Sequence, residues 1–445
     1  MGKYFGTDGY RGEAGITLSA DTAYRLGRIL GGMLGEGGKR ASVVIGKDTR
    51  LSCYMLEYAI ASGLAASGCD VYLLHVCTTP TVAYVTRTED FHMGIMISAS
   101  HNPYTDNGIK LMSAEGEKVD DRFIDEIEKR MDEDNLPPQK SGEDIGKIVD
   151  HYSGRNRYIG YLISLSTHSF RDKKILLDCA NGGGWMIAPS VFSALGARMM
   201  TIGTDPNGLN INRGVGSTHI EELKRRVVEE GCDLGLAFDG DGDRCIAVDE
   251  KGEEVCGDRI MYILARRLKR EGKLQGNTLV CTIMSNPGLH RALKEEGIDY
   301  ETTTVGDRYV YERMREGGYS IGGEHSGHII LSRYATTGDG ILTGIKLVET
   351  LIEEKTTLST LGEKLKLLPS VSMSVRVKDK AIARRVSVQK AKEEAEASLG
   401  SYGRIIIRES GTEPVIRILA EATDPQTARR AAEKIKAVIE SEEKA

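Results

Sequence analysis

The chain has 445 residues, more than one compact domain usually holds, and its length predicts about three or four domains. With 59 basic and 65 acidic residues the net charge is −6, which excludes a nucleic-acid or anionic-membrane binder that depends on overall positive charge. Glycine is the outlier: 52 of the 445 residues are glycine, about 12% of the chain against a usual ~7%. This excess predicts loops whose backbone approaches a ligand closely.

The eight cysteines are sparse for a chain of this length and include no C-x-x-C pair. We interpret them as reduced, mostly buried thiols of a cytoplasmic protein. The amino terminus has no apolar signal core, and no run of about 18 apolar residues occurs, so no transmembrane helix is expected.

Short β-branched runs alternate with amphipathic stretches along most of the chain, a pattern typical of βαβ units. The pattern predicts strands at 42–45, 71–74, 94–97 and 175–177, and helices at 20–34 and 56–67. After residue 370 it changes to strand, helix, two strands, helix. The final helix is predicted to begin at Pro425, with Asp424 as its N-cap.

These patterns predict three similar α/β domains with mixed, largely parallel sheets and a smaller α+β domain at the carboxyl end. Proline-rich and glycine-containing segments suggest the boundaries. The expected domains are 1–150, 151–250, 251–367 and 368–445.

The strongest chemical signal is the run from Asp239 to Arg244, DGDGDR, directly after the strand-like LGLAF. Carboxylates at 239, 241 and 243 supply the hard oxygen ligands that Mg²⁺ prefers, and the glycines between them let the backbone wrap closely. A calcium-binding EF-hand loop and a solvated acidic turn are the alternatives. The residues that follow resemble a strand and turn rather than the exiting helix of an EF-hand.

A second signal is ISASHNP at 97–103, followed by DNGIK at 106–110. The Ser100 hydroxyl could be activated as a nucleophile by His101, by Lys110 or by a metal. The alternative is a simple turn with a helix cap.

Two further loops carry ligand-binding residue types. In the segment from Arg408 to Arg417, RESGTEPVIR, a Ser-Gly-Thr turn and two arginines could hold a phosphate; the alternative is a hairpin turn with exposed arginines. In GGEHSGH at 322–328 a carboxylate, a hydroxyl and imidazoles suit sugar hydroxyls, although both histidines could instead cap or pack.

Taken together with GTDGYRG, MSNPGL and VGDRYV, these four segments make the whole chain resemble the α-D-phosphohexomutase family. The resemblance implies four domains around a central cleft, each contributing one loop. In detail the motifs are most similar to the branch of the family that interconverts glucosamine 6-phosphate and glucosamine 1-phosphate; glucose and mannose phosphates are the alternative substrates. A non-catalytic sugar-phosphate sensor is the alternative from another functional class.

The resemblance also implies residue roles. Ser100 would be the phosphoserine, and its phosphate would join the metal ligands Asp239, Asp241 and Asp243. The transferring group would be surrounded by Arg11, His101, Lys110 and Arg244, with Lys110 as first choice for general acid/base. The sugar would be bound by Asp307, Arg308, Glu324, Ser326 and His328. The nonreacting phosphate would be bound by Arg408, Ser410, Gly411, Thr412 and Arg417.

The implied cofactors are Mg²⁺ and a glucose or glucosamine 1,6-bisphosphate that serves as activator or intermediate. The implied partner is a small-molecule sugar phosphate, with neither nucleic acid nor membrane, and a homodimer is left open.

Overall fold

A computed structural model describes residues 3–6, 8–36, 38, 40–133, 136–400, 402–409 and 414–444. The chain divides into two compact units. One consists of Met1–Met284 with Ile298–Glu363, and the other of Ser285–Gly297 with Lys364–Ala445. Three mixed α/β sheets belong to the first unit, and an antiparallel sheet belongs to the second.

The first sheet has the strand order β1-β2-β6-β5-β3-β4-β7. Its strands are β1 Phe5–Gly6, β2 Gly9–Glu13, β3 Ser42–Lys47, β4 Asp70–Val76, β5 Met93–Ile97, β6 Asp106–Met112 and β7 Ile148–Asp150. The accompanying helices are α1 Ala20–Gly35, α2 Leu51–Ala66, α3 Thr79–Thr88 and α4 Asp121–Asp132. Strands β5, β3, β4 and β7 run parallel, whereas β6 and β2 add antiparallel pairs.

The strands predicted in this region are confirmed, but helix α2 begins at Leu51, five residues before the predicted start. Leu51, Tyr54 and Met55 in its first turn are exposed. Apolar side chains that face outward break the periodicity from which a helix start is recognised, so the sequence pattern did not mark this turn.

The second sheet has the order β12-β11-β10-β8-β9. Its strands are β8 Lys174–Asp178, β9 Arg198–Ile202, β10 Leu234–Phe238, β11 Cys245–Asp249 and β12 Glu254–Val255, with helices α5 Tyr152–Ser164, α6 Ile187–Ala194 and α7 Glu221–Glu229. Strands β10 and β11 are antiparallel, and the DGDGDR run connects them. A strand therefore follows the acidic loop, as predicted, and the EF-hand alternative is wrong because it needs a helix there.

The third sheet has the order β14-β13-β15-β16. Its strands are β13 Thr278–Thr282, β14 Asp299–Thr303, β15 Ile321–Gly323 and β16 Ile329–Leu331. The helices of this part of the chain are α8 Gly257–Arg270, α9 Pro287–Glu295, α10 Asp307–Gly317, α11 Gly340–Glu354 and α12 Leu358–Gly362. Helix α9 belongs to the second compact unit.

The fourth sheet is antiparallel, with the order β17-β19-β18. Its strands are β17 Ser370–Arg376, β18 Arg404–Glu409 and β19 Val415–Glu421, and its helices are α13 Val386–Glu396 and α14 Pro425–Lys444. The predicted order of elements is confirmed. Asp424 caps α14, since its Oδ1 accepts a hydrogen bond from the Thr427 amide at 2.9 Å.

All eight cysteines lie among the described residues, where they are buried and outside disulfide bonds, as expected for reduced thiols. Within the described part of the chain, none of the helices combines the length and apolar character needed to cross a bilayer.

Candidate active site

Ser100 lies in a tight turn between β5 and β6, with only 1% of its surface exposed. Its φ of 52° is left-handed, an unusual conformation for a non-glycine residue that is often found where function constrains the backbone. The Ser100 amide donates to Ser98 Oγ at 2.9 Å, and Ser100 Oγ donates to Asp239 Oδ2 at 2.5 Å. The turn leads into strand β6, so the helix-cap alternative is wrong.

A buried arginine, Arg50, holds the backbone of this turn through hydrogen bonds. The Arg50 guanidinium donates to the carbonyl oxygens of Ser100 and Asn102, both at 2.9 Å, and to Asp48 Oδ2 at 2.9 Å. Asp48 also accepts from Ser98 Oγ at 2.6 Å. Sequence reasoning missed this support. The signal that could have found it is the position of Asp48 and Arg50 directly after β3, because the carboxyl ends of neighbouring parallel strands meet at one edge of a sheet.

We expect Arg50→Met to reduce the free energy of unfolding by about 3–5 kcal/mol, because it leaves the Asp48 carboxylate buried without its cation. Denaturant titration of both proteins measures the change. Arg225→Met is the control. Its ion pairs are on the surface, and its loss should cost less than ~0.5 kcal/mol. Equal losses in the two variants would contradict the assigned role of Arg50.

The acidic loop brings three carboxylates together. Asp239, Asp241 and Asp243 are all buried, and one oxygen from each lies within 4.8 Å of the others. The glycines are required by close approach: a Cβ on Gly240 would lie 2.4 Å from the carbonyl oxygen of Ser100, and Gly242 has a φ of 70°. This loop therefore places the carboxylates against the serine turn.

The electrostatics of this cluster fit a cation. Burial raises the pKa of Asp239 well above its ordinary value, and the charges of Asp243 and Asp241 add to the effect. Oδ1 atoms of Asp241 and Asp243 are buried without hydrogen-bond partners. Buried carboxylate oxygens that lack partners are costly, and a divalent ion such as Mg²⁺ would satisfy them. A solvated acidic turn is excluded because the loop is buried.

Lys110 reaches the same carboxylates from β6. Its Nζ lies 2.8 Å from Asp241 Oδ2 and 3.4 Å from Asp243 Oδ2. Burial alone would lower the pKa of Lys110, yet the charge of Asp241 and its acidic neighbours holds this pKa well above its ordinary value. Lys110 is therefore protonated at neutral pH beside the acidic loop.

Arg11, Arg244 and His101 complete the surroundings of Ser100. Arg11 pairs with Asp8 and donates to the Ala99 carbonyl at 3.3 Å, while Arg244 Nε lies 4.0 Å from Asp239. His101 Nδ1 is 3.3 Å from Ser100 Oγ. Burial, followed by the charges of Arg244 and Arg11, lowers the pKa of His101 to about 4. The imidazole is therefore neutral at neutral pH.

Two functional candidates escaped sequence reasoning. Lys118 Nζ bridges Asp8 Oδ1 at 2.8 Å and Asp307 Oδ1 at 2.7 Å. Asp8 lies in the GTDGYRG motif, in which only Arg11 was assigned a role, and Lys118 lies in none of the motifs. Arg308, beside Asp307, pairs with Asp121 and with Glu312. Lys118 therefore connects the loop that carries Asp8 to Asp307, one of the residues predicted to bind the sugar.

The turn between β15 and β16 carries Glu324, Ser326 and His328. Glu324 Oε1 accepts from the Gly306 amide at 3.2 Å, and His328 Nε2 lies 3.5 Å from Asp307 Oδ2. His328 is buried, while Ser326 is half-buried. A β-bridge between Arg244 and His328 places this turn directly beside the acidic loop.

A cavity of about 280 Å³ opens beside these loops. Lys110, Lys118, Asp243, Asp307 and Arg308 are among the residues that line it. The first compact unit thus brings together Arg11, Ser100, His101, Lys110, Asp239, Asp241, Asp243, Arg244, Asp307, Arg308, Glu324, Ser326 and His328.

In the second unit Arg408 and Arg417 face each other as cross-strand partners on β18 and β19, and both are half-buried. Cross-strand partners point to the same face of a sheet, so two guanidinium groups can share one anion. The predicted Ser410, Gly411 and Thr412 lie outside the described residues.

Comparison with known proteins gives matches along the whole chain. The models of phosphoglucomutase/phosphomannomutase domains match in order: alpha/beta/alpha domain I at 2–137, domain II at 156–252, domain III at 256–367 and the C-terminal domain at 373–438. The phosphoglucosamine mutase of Lachnospira eligens is 54% identical over 99% of both chains. That of Lachnoclostridium phytofermentans is 51% identical over 99% of this chain and 98% of its own.

Solved structures show the same fold. A phosphoglucomutase/phosphomannomutase family protein of Burkholderia thailandensis superposes with a TM-score of 0.82 at 24% identity, covering 99% of this chain and 98% of its own. N-acetylphosphoglucosamine mutase of Aspergillus fumigatus, in complex with GlcNAc-6P and magnesium, superposes with a TM-score of 0.68 at 17% identity. The match covers 99% of this chain and 96% of that enzyme's chain. A complex of that enzyme with glucose 1,6-bisphosphate gives 0.67, with the same identity and coverage.

Four domain models in sequence and relatives more than half identical over their full length agree with the loops described above. The chain belongs to the phosphoglucomutase/phosphomannomutase family of phosphohexomutases and, within it, to the phosphoglucosamine mutases.

Proposed function

We propose that this isomerase interconverts glucosamine 6-phosphate and glucosamine 1-phosphate through a phosphoserine at Ser100. The phosphoryl group on Ser100 Oγ passes to the 1-hydroxyl of glucosamine 6-phosphate, which gives up its proton, and this step leaves a free serine and a 1,6-bisphosphate. The 6-phosphoryl group then passes to Ser100 Oγ, which restores the phosphoserine, and the sugar O6 takes a proton to give glucosamine 1-phosphate. The observation that carries the proposal is the Ser100 hydroxyl, buried 2.5 Å from Asp239 in a loop of three carboxylates. The names of relatives up to 54% identical support the choice of sugar.

Mg²⁺ is the proposed metal, held by Asp239, Asp241 and Asp243, with the Ser100 phosphate as a further ligand. When bound, such an ion neutralises charge on the phosphoryl oxygens and helps to orient them. The buried carboxylate oxygens without hydrogen-bond partners support this assignment. A relative that was solved with magnesium and a sugar phosphate agrees with it.

The chain's own cations are proposed to hold the transferring group. Arg11, Lys110 and Arg244 surround Ser100 and oppose the negative charge that spreads over the phosphoryl oxygens. His101 is proposed to exchange a proton with Ser100 Oγ, since its Nδ1 is 3.3 Å away. Lys110 is proposed as the acid/base partner of the sugar hydroxyl.

Two further sets of residues are proposed to bind the substrate. The sugar contacts are Asp307, Arg308, Glu324, Ser326 and His328. The nonreacting phosphate is held by Arg408, Ser410, Gly411, Thr412 and Arg417. The proposal also includes domain boundaries near 150, 250 and 367, action in the cytoplasm, and a 1,6-bisphosphate as activator or intermediate. It leaves the homodimer open.

Comparison of kcat/KM for the 1- and 6-phosphates of glucosamine, glucose and mannose tests the choice of sugar. With Mg²⁺ and glucose 1,6-bisphosphate present, we expect glucosamine phosphates to be preferred by at least about tenfold. An ammonium group facing a half-buried carboxylate such as Glu324 gains a charge-assisted hydrogen bond that a hydroxyl lacks. A preference for glucose or mannose phosphates would instead support phosphoglucomutase or phosphomannomutase activity. Tight binding of bisphosphate without turnover would support a sensor.

A further inference from the structure

A second group of potential metal ligands lies outside the acidic loop. Cys256 is the N-cap residue of α8, Asp258 lies in the first turn of that helix, and His325 lies in the turn between β15 and β16. One donor atom from each lies within 4.8 Å of the other two, and His325 Nδ1 is 2.9 Å from Asp258 Oδ2. Three chemically different donors from two separate segments therefore converge on one point.

The backbone holds this arrangement in place. The Gly257 amide donates to the His325 carbonyl oxygen at 3.0 Å. A Cβ on Gly257 would lie 2.1 Å from the Glu324 carbonyl oxygen, so only glycine allows the turn to approach the start of α8 this closely. The donor atoms are thus brought together by the fold rather than by chance rotamers of surface side chains.

The three donor groups differ in their exposure to solvent. Cys256 and Asp258 are buried, while half of the His325 side chain is exposed. The buried Asp258 carboxylate lies against the His325 imidazole, and buried carboxylates in proteins are either paired with a cation or bound to a metal.

We infer that Cys256, Asp258 and His325 form a second metal site, which binds a borderline-soft divalent ion of the Zn²⁺ class. Thiolate sulfur, imidazole nitrogen and carboxylate oxygen are typical zinc ligands, and three protein ligands leave a fourth position for water. Tetrahedral bonds of about 2.0–2.3 Å place ligand atoms roughly 3.3–3.8 Å apart, which small side-chain rotations can reach from the present spacing. The all-oxygen acidic loop suits a harder ion, so the two sites select different metals.

Titration with Co²⁺ followed by competition with Zn²⁺ tests this site on the full chain. Excess Mg²⁺ occupies the acidic loop, and a thiolate-to-cobalt charge-transfer band reports a sulfur ligand, which the carboxylate loop cannot supply. We expect one equivalent of Co²⁺ to produce the band and Zn²⁺ to abolish it. Cys256→Ser should remove the band, and His325→Gln should weaken Co²⁺ binding by at least about tenfold.

The control variants are Cys69→Ser, which changes a buried cysteine directly before β4, and Asp239→Asn, which changes the acidic loop; both should retain the band. The inference would be overturned if the wild-type chain gave no band, or if the band persisted in Cys256→Ser. Should that variant fail to fold, His325→Gln decides, because its side chain is half exposed. Unchanged Co²⁺ affinity in His325→Gln would overturn the inference.

Discussion

Ser100→Ala should reduce kcat by at least about 10⁴-fold, because the hydroxyl that carries the phosphoryl group is lost while its surroundings remain. Initial rates with glucosamine 6-phosphate, Mg²⁺ and a 1,6-bisphosphate measure the loss. Intact-mass measurement should also show one phosphoryl group on part of the wild-type protein and none on the variant. Alanine removes only one oxygen from a residue that is already buried, so the fold should persist.

Ser153→Ala is the matched control, since Ser153 is exposed on helix α5 and lies outside the proposed site. It should keep both full turnover and the phosphoryl group. Turnover of Ser100→Ala within tenfold of wild type would rule out a phosphoserine at this position. A phosphoryl group that remained on Ser100→Ala would place the modification elsewhere.

Asp239→Asn should weaken Mg²⁺ binding by at least about 100-fold and reduce kcat/KM by at least about 10²-fold, because it removes one of three carboxylate ligands. In the absence of Mg²⁺, by contrast, the substitution should not lower the stability of the fold and is expected to raise it. A raised carboxyl pKa means that ionised Asp239 opposes folding at neutral pH, and asparagine removes that charge. The Mg²⁺-free variant should therefore unfold at the same temperature as wild type or higher.

Calorimetric titration with Mg²⁺, and thermal unfolding with and without the ion, check both parts of this prediction. Asp172→Asn is the control, because Asp172 is exposed and remote from the acidic loop in sequence. It should bind Mg²⁺ as wild type does. If Asp239→Asn kept wild-type Mg²⁺ affinity, or lost stability without the metal, Asp239 would be a structural residue rather than a ligand.

Much of the fold followed from local patterns. Alternating β-branched runs marked the central strands, and Asp424 with Pro425 marked the start of α14, because strand periodicity and helix capping depend on residues close together in sequence. The start of α2 was missed because Leu51 and its neighbours face outward.

The residues that support the site were harder to predict. Arg50 supports the Ser100 turn although the two residues are 50 positions apart in sequence. Lys118 joins Asp8 to Asp307, and Asp307 lies 189 positions after Lys118. Neither lies in a motif with a spacing of its own. Single residues that act through distant partners leave no local pattern, so only the packing of the loops reveals them.

The sequence by itself determined the chemistry within each loop: the alternating carboxylates of DGDGDR, the Ser-His pair of ISASHNP, and the glycines that keep those loops compact. Such properties depend on a few consecutive residues. The tertiary structure alone decided that Ser100 meets Asp239, 139 positions away, and that Lys110 is held as a cation among Asp241, Asp243 and Asp8. The physical reason is that burial and charge act through space, and only the folded sheets bring those groups within a few ångströms of one another.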